Sequence, residues 1–364
     1  MSVVLHITEK LERHGGTPRK LLSLVQHDQG LRHSFVTFLP GDLDAEMRTA
    51  GATVACANST TIATIVRATV AAARREHAEV ICTHFTRALV CGVLAGRWLS
   101  MPVIHNVHGP ASDVPRATLS GHLGRLASYW ALPQVKLIGA NSRFSADTMR
   151  RVYGLPESKV RVLPCPVTLR VRNGGAHDLP ARAPGRLRLV QIGGLIPVRQ
   201  QHLLLQGLAR LQALQVDAEL LMVGDGPRRA ELQALAQSLD ITSRVHWLGI
   251  REDIGDVLAE ADVYVSAINN EGFGIAVVEA MLQGLPSVLP NGGAHPEITD
   301  GGRCGVLYDS TDSEAFARAV AALWQDAPRR AAISDAGRIF AGQMFAPARY
   351  AERFGRFIDE AQLA

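Results

Sequence analysis

Asn270-Glu271-Gly272-Phe273-Gly274-Ile275-Ala276-Val277-Val278-Glu279-Ala280 follows the short apolar run 263–266, and that order decides the fold. The run has the length and composition of a buried strand, and a helix opens near Gly274. Gly272 and Gly274 let the backbone approach a ligand closely. The helix start offers free N–H groups and the positive end of a dipole to an anion such as phosphate. Glu271, before the helix, can accept hydrogen bonds from sugar-like hydroxyls, and Glu279, on the second turn, can reach a ribose diol. Both glutamates could equally be ordinary early-turn residues, stabilising the helix by about 0.3 to 1 kcal/mol each.

Outward from this segment the same strand-then-helix grammar recurs. Apolar runs at 3–7, 34–38, 80–83, 103–106 and 137–140 alternate with helical periods such as 18–27 and 61–76. A second series, 188–192, 219–223, 245–248, 263–266 and 287–289, repeats the pattern. Such alternation is that of an α/β chain whose parallel sheets are wrapped by helices, here two doubly wound, Rossmann-like domains facing across a cleft. Residues 168–185, with Gly174, Gly175, Pro180, Pro184 and Gly185, lack a period and read as a linker. The expected division is a first domain at 1–168, a linker at 169–185, a second domain at 186–345 and a terminal helix at 346–364 packing back on the first. Ligands of such sheets bind beyond the carboxyl ends of the strands, where the unusual residues fall.

Length and composition agree with that architecture. The 364 residues suit about two domains. With 20% charged and 47% apolar residues, the chain is neither disordered, nor a coiled coil, nor collagen-like. Its net charge of +4 divides unevenly: residues 1–170 carry 20 Lys/Arg against 11 Asp/Glu, and the remainder 18 against 23. A basic first half suggests an acidic partner there. Five scattered cysteines without a C-x-x-C pair indicate neither a disulfide framework nor a structural zinc site, so a cytoplasmic setting is expected. The longest strongly apolar stretch, 88–96, is short of a membrane span, so any membrane contact is expected to be peripheral.

The segment 270–280, extended through Met281, Gly284, Pro286 and Val288, resembles the E-G-F-G-[IL]-x-x-x-E-A-M-x-x-G-x-P-V signature of the retaining glycosyltransferases of the GT-B fold, family four. Val223-Gly224-Asp225-Gly226-Pro227, Val245-His246-Trp247-Leu248-Gly249 and Gly292-Gly293-Ala294-His295-Pro296-Glu297 are similar to its neighbouring motifs. Gly15-Gly16, His108-Gly109, Ala140-Asn141-Ser142 and Val162-Leu163-Pro164 match more loosely. The resemblance implies transfer of a sugar from a nucleotide-diphosphate sugar, with retention of configuration and no cofactor or obligatory metal. Glu279 would bind the ribose and Glu271 the donor sugar, with the backbone of Phe273, Gly274 and Ile275 on hydroxyls and phosphate. Gly249, Ile250 and Arg251 fall where the base is held, Arg251 being equally readable as a solvated loop residue. Gly15 and Gly16 would face the diphosphate from the other domain, unless they form a plain tight turn. His108 would sit against the donor sugar, whereas His105, three positions earlier, reads as a packed core histidine. The remaining histidines look scattered.

One departure bears on activity. Where the family has G-R-L-x-x-x-K-G, this chain has Gly193-Gly194-Leu195-Ile196-Pro197-Val198-Arg199-Gln200. Arg199 stands in for the lysine and can clamp phosphate, but Gly194 removes a second cation worth about 1.5 to 3 kcal/mol, unless Arg19, Arg251 or extra N–H access compensates. Cys165-Pro166 in place of Asn-Gly concerns only a turn. The pair Asp42-Leu43-Asp44 reads as a helix start with Asp42 as cap, not a metal site. A dinucleotide-dependent oxidoreductase is disfavoured, because no G-x-G-x-x-G follows the first strand. A nucleotide-sugar epimerase and a catalytically weakened binding subunit remain alternatives. The acceptor is expected to be a sugar, a lipid-linked glycan or a small molecule, in cell-surface glycan, lipopolysaccharide or glycolipid assembly, or alternatively in natural-product tailoring. Helix 61–75, with Ile62, Ile65, Val66, Ala68 and Val70 beside Arg67, Arg74 and Arg75, could face an anionic membrane or simply cover the sheet. Nucleic acid is disfavoured, since the basic residues are not interleaved with aromatics.

Overall fold

Two runs of β-branched and leucine-rich sequence build two separate parallel sheets. The computed structural model describes residues 1–13, 16–110, 119–169, 178–309 and 312–363. The chain folds as two units, Met1–Pro166 together with Phe345–Ala364, and Val167–Met344. Gly15 and the centre of the expected linker lie outside the described residues.

In the first unit the strands are β1 (Ser2–Thr8), β2 (Leu31–Thr37), β3 (Thr53–Cys56), β4 (Val80–His84), β5 (Val103–Val107), β6 (Ile138–Ala140) and β7 (Val160–Val162). Their spatial order is β3-β2-β1-β4-β5-β6-β7. From β1 the chain first builds outward through β2 and β3, then returns to build the other side from β4, so the order reverses between β1 and β4. Side-chain alternation sends neighbouring residues to opposite faces. Ile7, Ile81, Val103 and Ile138 join one core with Ile65 and Leu89. Val4, Val80, Cys82 and Ile104 join another with Tyr350, Phe354, Phe357 and Ile358. The latter four belong to the terminal helix Pro347–Leu363, which therefore completes the first unit.

The second unit holds β8 (Leu187–Ile192), β9 (Ala218–Val223), β10 (Val245–Gly249), β11 (Val263–Val265), β12 (Ser287–Pro290) and β13 (Val306–Tyr308), in the order β10-β9-β8-β11-β12-β13. Its reversal lies between β8 and β11, with Val263 paired to Leu189. Leu187, Leu189, Leu220 and Met222 pack with Leu204, Leu208 and Phe316. The strands β3, β7 and β13 have no counterpart among the runs expected from sequence. All three are outer strands of three or four residues. They contribute too little apolar alternation to register as runs.

One local expectation is corrected and one open reading is resolved. Asp42 is not the cap of the helix Asp44–Thr49: the cap position is Leu43, without a side-chain bond. The Asp42 carboxylate instead accepts from the Arg13 amide at 2.7 Å, and Asp44 accepts from the Gly41 amide. The apolar face of the helix Ile62–Glu76 is committed to the sheet, with Ile65, Val66 and Val70 buried. Ile62, at the helix start, stays exposed, and Arg67, Arg74 and Arg75 form the solvated edge.

Candidate active site

The carboxyl ends of β8 and β11 flank the reversal point of the second sheet, where two loops diverge and leave room for a ligand. The loop after β8 carries Gly193 and Gly194, then a single 3-10 turn, Pro197–Arg199, and the helix Gln201–Leu211. Gly193 has φ +146°, and a Cβ there would lie 2.9 Å from the Arg199 guanidinium carbon. The absent side chain is what lets Arg199 lie flat across the loop. Gly194 is different. A Cβ at that position meets nothing nearer than the Asp225 carbonyl at 3.6 Å, so no steric demand excludes a larger residue. Its carbonyl accepts from Gln201 Nε2 at 2.8 Å, which ties the loop to the following helix.

The loop after β11 carries Glu271. Its Oε1 accepts from the Gly272 amide at 3.0 Å, while Oε2 lies 3.5 Å from Arg199 Nη1. Both side chains keep partial access to solvent, so this pair contributes little to stability and can open when a ligand arrives. The turn at 291–294 braces Glu271 from behind, with the Ala294 amide donating to its carbonyl at 2.8 Å. Gly274 then caps the helix Ile275–Gln283 with φ +88° and no side-chain cap bond. No acidic residue sits in that helix's first turn. The Val277 amide turns back to the Gly274 carbonyl at 3.0 Å, and no side chain caps the helix start, whose amides lie in the positive field of the helix end, an arrangement suited to an anion. Phe273 is buried beneath the loop, Ile275 is half-buried and Glu279 sits one turn on, also half-buried.

Two residues that sequence reasoning did not single out complete this region. Tyr264 on β11 is 2% exposed. Burial pushes its phenol up, and the charges of Arg199, Glu271 and Glu279 all act on it, so the three converge around this ring. His295 is fully buried and donates from Nδ1 to the Pro290 carbonyl at 3.1 Å, leaving Nε2 buried without a partner among the described residues. Burial lowers its pKa, against the raising effect of nearby Glu271. The only sequence signal for His295 was its place in the Gly292–Glu297 turn; Tyr264 reads as an ordinary strand residue.

The expected base-binding residues are placed less uniformly. Gly249 ends β10 and accepts from the Gly224 amide at 2.7 Å. Ile250 is 72% exposed. Arg251 pairs with Asp253 at 2.5 Å, a hydrogen bond that raises the guanidinium pKa further. That pairing already neutralises the charge that was considered as a replacement for the missing cation at Gly194.

In the first unit, Gly16 opens the helix Gly16–His27, while Gly15 lies outside the described residues. Arg19 on that helix donates to the Arg13 carbonyl at 2.8 Å. His108 directly follows β5, half-buried, its Nε2 3.0 Å from His84 Nδ1 and its ring 5.2 Å from that of Phe85. Burial first, then Lys20 and His105, push His108 well below the ordinary imidazole range. His105 is 6% exposed and bonded to the Thr83 hydroxyl at 2.9 Å, as a core histidine should be. Elsewhere on this unit, Leu123, Leu126 and Trp130 of the helix Leu119–Ala131 are exposed, as is Trp98, and Arg97 lies over the Trp130 ring at 5.7 Å. No helix among the described residues is long and apolar enough to cross a membrane.

Comparison with known proteins places these features. Residues 15–171 match the family model described as Glycosyltransferase Family 4, and residues 180–340 that of Glycosyl transferases group 1. A phosphatidylinositol monomannoside mannosyltransferase of Mycolicibacterium smegmatis, GDP-mannose-dependent and α-(1-6), is 31% identical over 55% of this chain and 56% of its own length. A lipopolysaccharide core biosynthesis glycosyltransferase of Rhizobium meliloti is 30% identical over 44% and 45%. The chain thus spans about half the length of these curated relatives. The crystal structure of HepE from Anabaena, in complex with UDP and glucose, superposes with a TM-score of 0.79 at 20% identity, covering 99% of this chain and 100% of that one. The likeness is one of fold, GT-B, with two Rossmann-like units. With both of its units matched by family models, the chain belongs to glycosyltransferase family 4.

Proposed function

We propose that this protein transfers a sugar from a nucleoside diphosphate sugar to an acceptor hydroxyl, with retention of configuration and without an obligatory divalent ion. The observation that carries this reading is the helix start at Gly274, free of a side-chain cap, beside the Arg199–Glu271 pair at the reversal point of the second sheet. The helix amides and Arg199 supply the positive field that a departing diphosphate needs. Glu279, one turn along, is the residue for the ribose diol, and Glu271 for the donor hydroxyls. Donor binding costs Glu271 its contact with Arg199, and the guanidinium passes to phosphate, where a bidentate clamp is stronger. In the first unit His108 offers a ring nitrogen to a substrate hydroxyl. The departing phosphate oxygen takes the acceptor proton on the face that it leaves, so no carboxylate nucleophile is required.

The acceptor is a sugar or a lipid-linked molecule of cell-surface glycan assembly. The exposed Leu123, Leu126, Trp130 and Trp98, with Arg97 beside them, support peripheral contact with an anionic bilayer. The test is a screen of nucleotide sugars for hydrolysis and transfer, with and without EDTA, with the product anomer read by NMR. Calorimetry with the free nucleoside diphosphates accompanies it. Turnover that survives EDTA and yields a retained anomer supports the reading. The absence of nucleotide binding at millimolar concentration refutes it.

A further inference from the structure

Four histidines spread over residues 6–108 form one hydrogen-bonded file across the first sheet. His33 lies on β2, His6 on β1, His84 on β4, and His108 just past β5, four strands adjacent in space. The register shows why they meet. His6 pairs with Phe35, two residues beyond His33; Cys82, two before His84, pairs with His6; and Asn106, two before His108, pairs with His84. Each step to the next strand advances by one pleat repeat, so alternation keeps all four rings on one face. The contacts are His33 Nδ1 to His6 Nε2 at 3.0 Å, His6 Nδ1 to His84 Nε2 at 3.1 Å, and His84 Nδ1 to His108 Nε2 at 3.0 Å. At the far end His33 Nε2 meets Asp28 Oδ2 at 3.2 Å. Phe35 stacks on His6 at 4.7 Å, and Phe354 lies 5.9 Å from it.

We propose that Asp28 is a remote positioning residue that sets the hydrogen-bonding sense of His108 through three intervening imidazoles. The chemistry admits one direction. Burial opposes the Asp28 charge, but bonds from His33 and from the Gly30 and Leu31 amides outweigh it and hold the carboxyl below its ordinary range. A carboxylate can only accept, so His33 carries its proton on Nε2 and presents a lone pair at Nδ1. His6 must then donate from Nε2, His84 likewise, and His108 likewise. His108 Nδ1 is left as an acceptor, which fixes that substrate contact as one made by a hydroxyl donor. Burial first, then the neighbouring rings and, for His84 and His108, Lys20 of the helix Gly16–His27 and His105 on β5, favour neutral His6, His84 and His108, while Cys82 Sγ on β4 lies 3.7 Å from His84 Nε2. The nitrogens of His6 and His84 and the sulfur of Cys82 lie within 4.8 Å of one another, a spacing that a metal ion could also use. The ring-to-ring bonds and the Lys20 ammonium beside Cys82 favour the file.

The substrate role of His108 rests on the proposed donor reading; the tautomer file does not, and the experiment separates them. In full-length protein labelled with 15N-histidine, long-range proton–nitrogen correlation at pH 7.5 reads each tautomer directly. The expected result is His33, His6, His84 and His108 all protonated on Nε2 alone. A His108 protonated on Nδ1, or one equivalent of tightly bound zinc in the purified protein, overturns the proposal. Asp28→Asn gives a sharper outcome. Because Asp28 Oδ1 serves two backbone amides, the asparagine must keep its carbonyl there and turn its NH2 toward His33. Every ring then reverses, and His108 Nδ1 becomes a donor. We expect that reversal in the spectrum, together with at least a tenfold loss of turnover in folded protein. Unchanged tautomers in folded Asp28→Asn refute the relay. A correct file in a protein that neither hydrolyses nor binds any nucleotide sugar refutes the donor reading alone.

Discussion

Mild acid should selectively unfold the first unit. Burial, together with Lys20 and neighbouring rings, pushes His6, His84 and His108 well below the ordinary imidazole value, and burial takes His105 to about 4. These groups are neutral in the folded chain but protonate near pH 6.5 once unfolded. A depressed imidazole pKa means that the unfolded state binds more protons below that value, so stability is full above about pH 6.5 and falls as the pH drops. For His105 the loss at pH 5 is about 2 kcal/mol, and it grows to about 3 kcal/mol near pH 4. His6, His84 and His108 shift in the same direction and add to that loss. Even the His105 loss alone is a large share of a domain's whole stability, about 5–15 kcal/mol. The lowered Asp28 carboxyl adds to this only below its ordinary range, outside the interval from pH 7 to 5. Hydrogen exchange with mass spectrometry, corrected for intrinsic rates, measures the opening of β1 and β4 separately from β8 and β9. We expect the first pair to lose about 2 kcal/mol of protection or more between pH 7 and 5, and the second, where burial lowers His202 and His295, to lose less. A change below about 1 kcal/mol in β1 and β4 would refute the reasoning.

Further outcomes follow from the second unit. Glu271→Ala should reduce transfer about a hundredfold or more, about 3 kcal/mol of transition-state stabilisation, and near-normal turnover of purified protein removes Glu271 from the site. Arg199→Ala should weaken nucleoside diphosphate binding by about tenfold or more, one charge-assisted contact, as read by calorimetry. Gly194→Arg should fold with unchanged stability, because its Cβ finds open space, and should tighten diphosphate binding. A melting temperature lowered by several degrees would show that the loop cannot take a side chain. Gly274→Ala should destabilise by about 1 to 3 kcal/mol, since φ +88° is strained for alanine and Ile298 lies 3.2 Å from the added carbon. Unchanged urea denaturation would contradict that.

The fold was legible where burial is two-sided. Central strands such as β1 and β8 read as continuous apolar runs because helices cover both faces, and Glu271, Gly274 and Glu279 read as a group because they share one loop and one helix. What stayed hidden depends on register. His6, His33 and His84 carry no periodic signal, and only the pleat-by-pleat offset between strands joined from far parts of the chain brings them into line. Tyr264 was similarly hidden: nothing in a buried strand announces that three charges will converge on it. The helix Ile62–Glu76 was ambiguous for another reason. An amphipathic stripe has the same spacing whether it meets a sheet or a bilayer, and packing against β-strand residues such as Ile7 and Ile81 resolved it toward the sheet.

The terminal helix Pro347–Leu363 has a consequence for biosynthesis. Tyr350, Phe354, Phe357 and Ile358 are part of the first unit's core, yet they leave the ribosome after the whole second unit. At about 5–20 residues per second, a delay of roughly 10 to 40 s separates the synthesis of Pro166 from that of Phe345. Throughout that interval the first sheet exposes an apolar face, and at its end the second unit has its entire sequence while the first still lacks its last helix. The part made first is therefore finished last, and the nascent chain has greatest need of a chaperone while its final turns of helix are still being made.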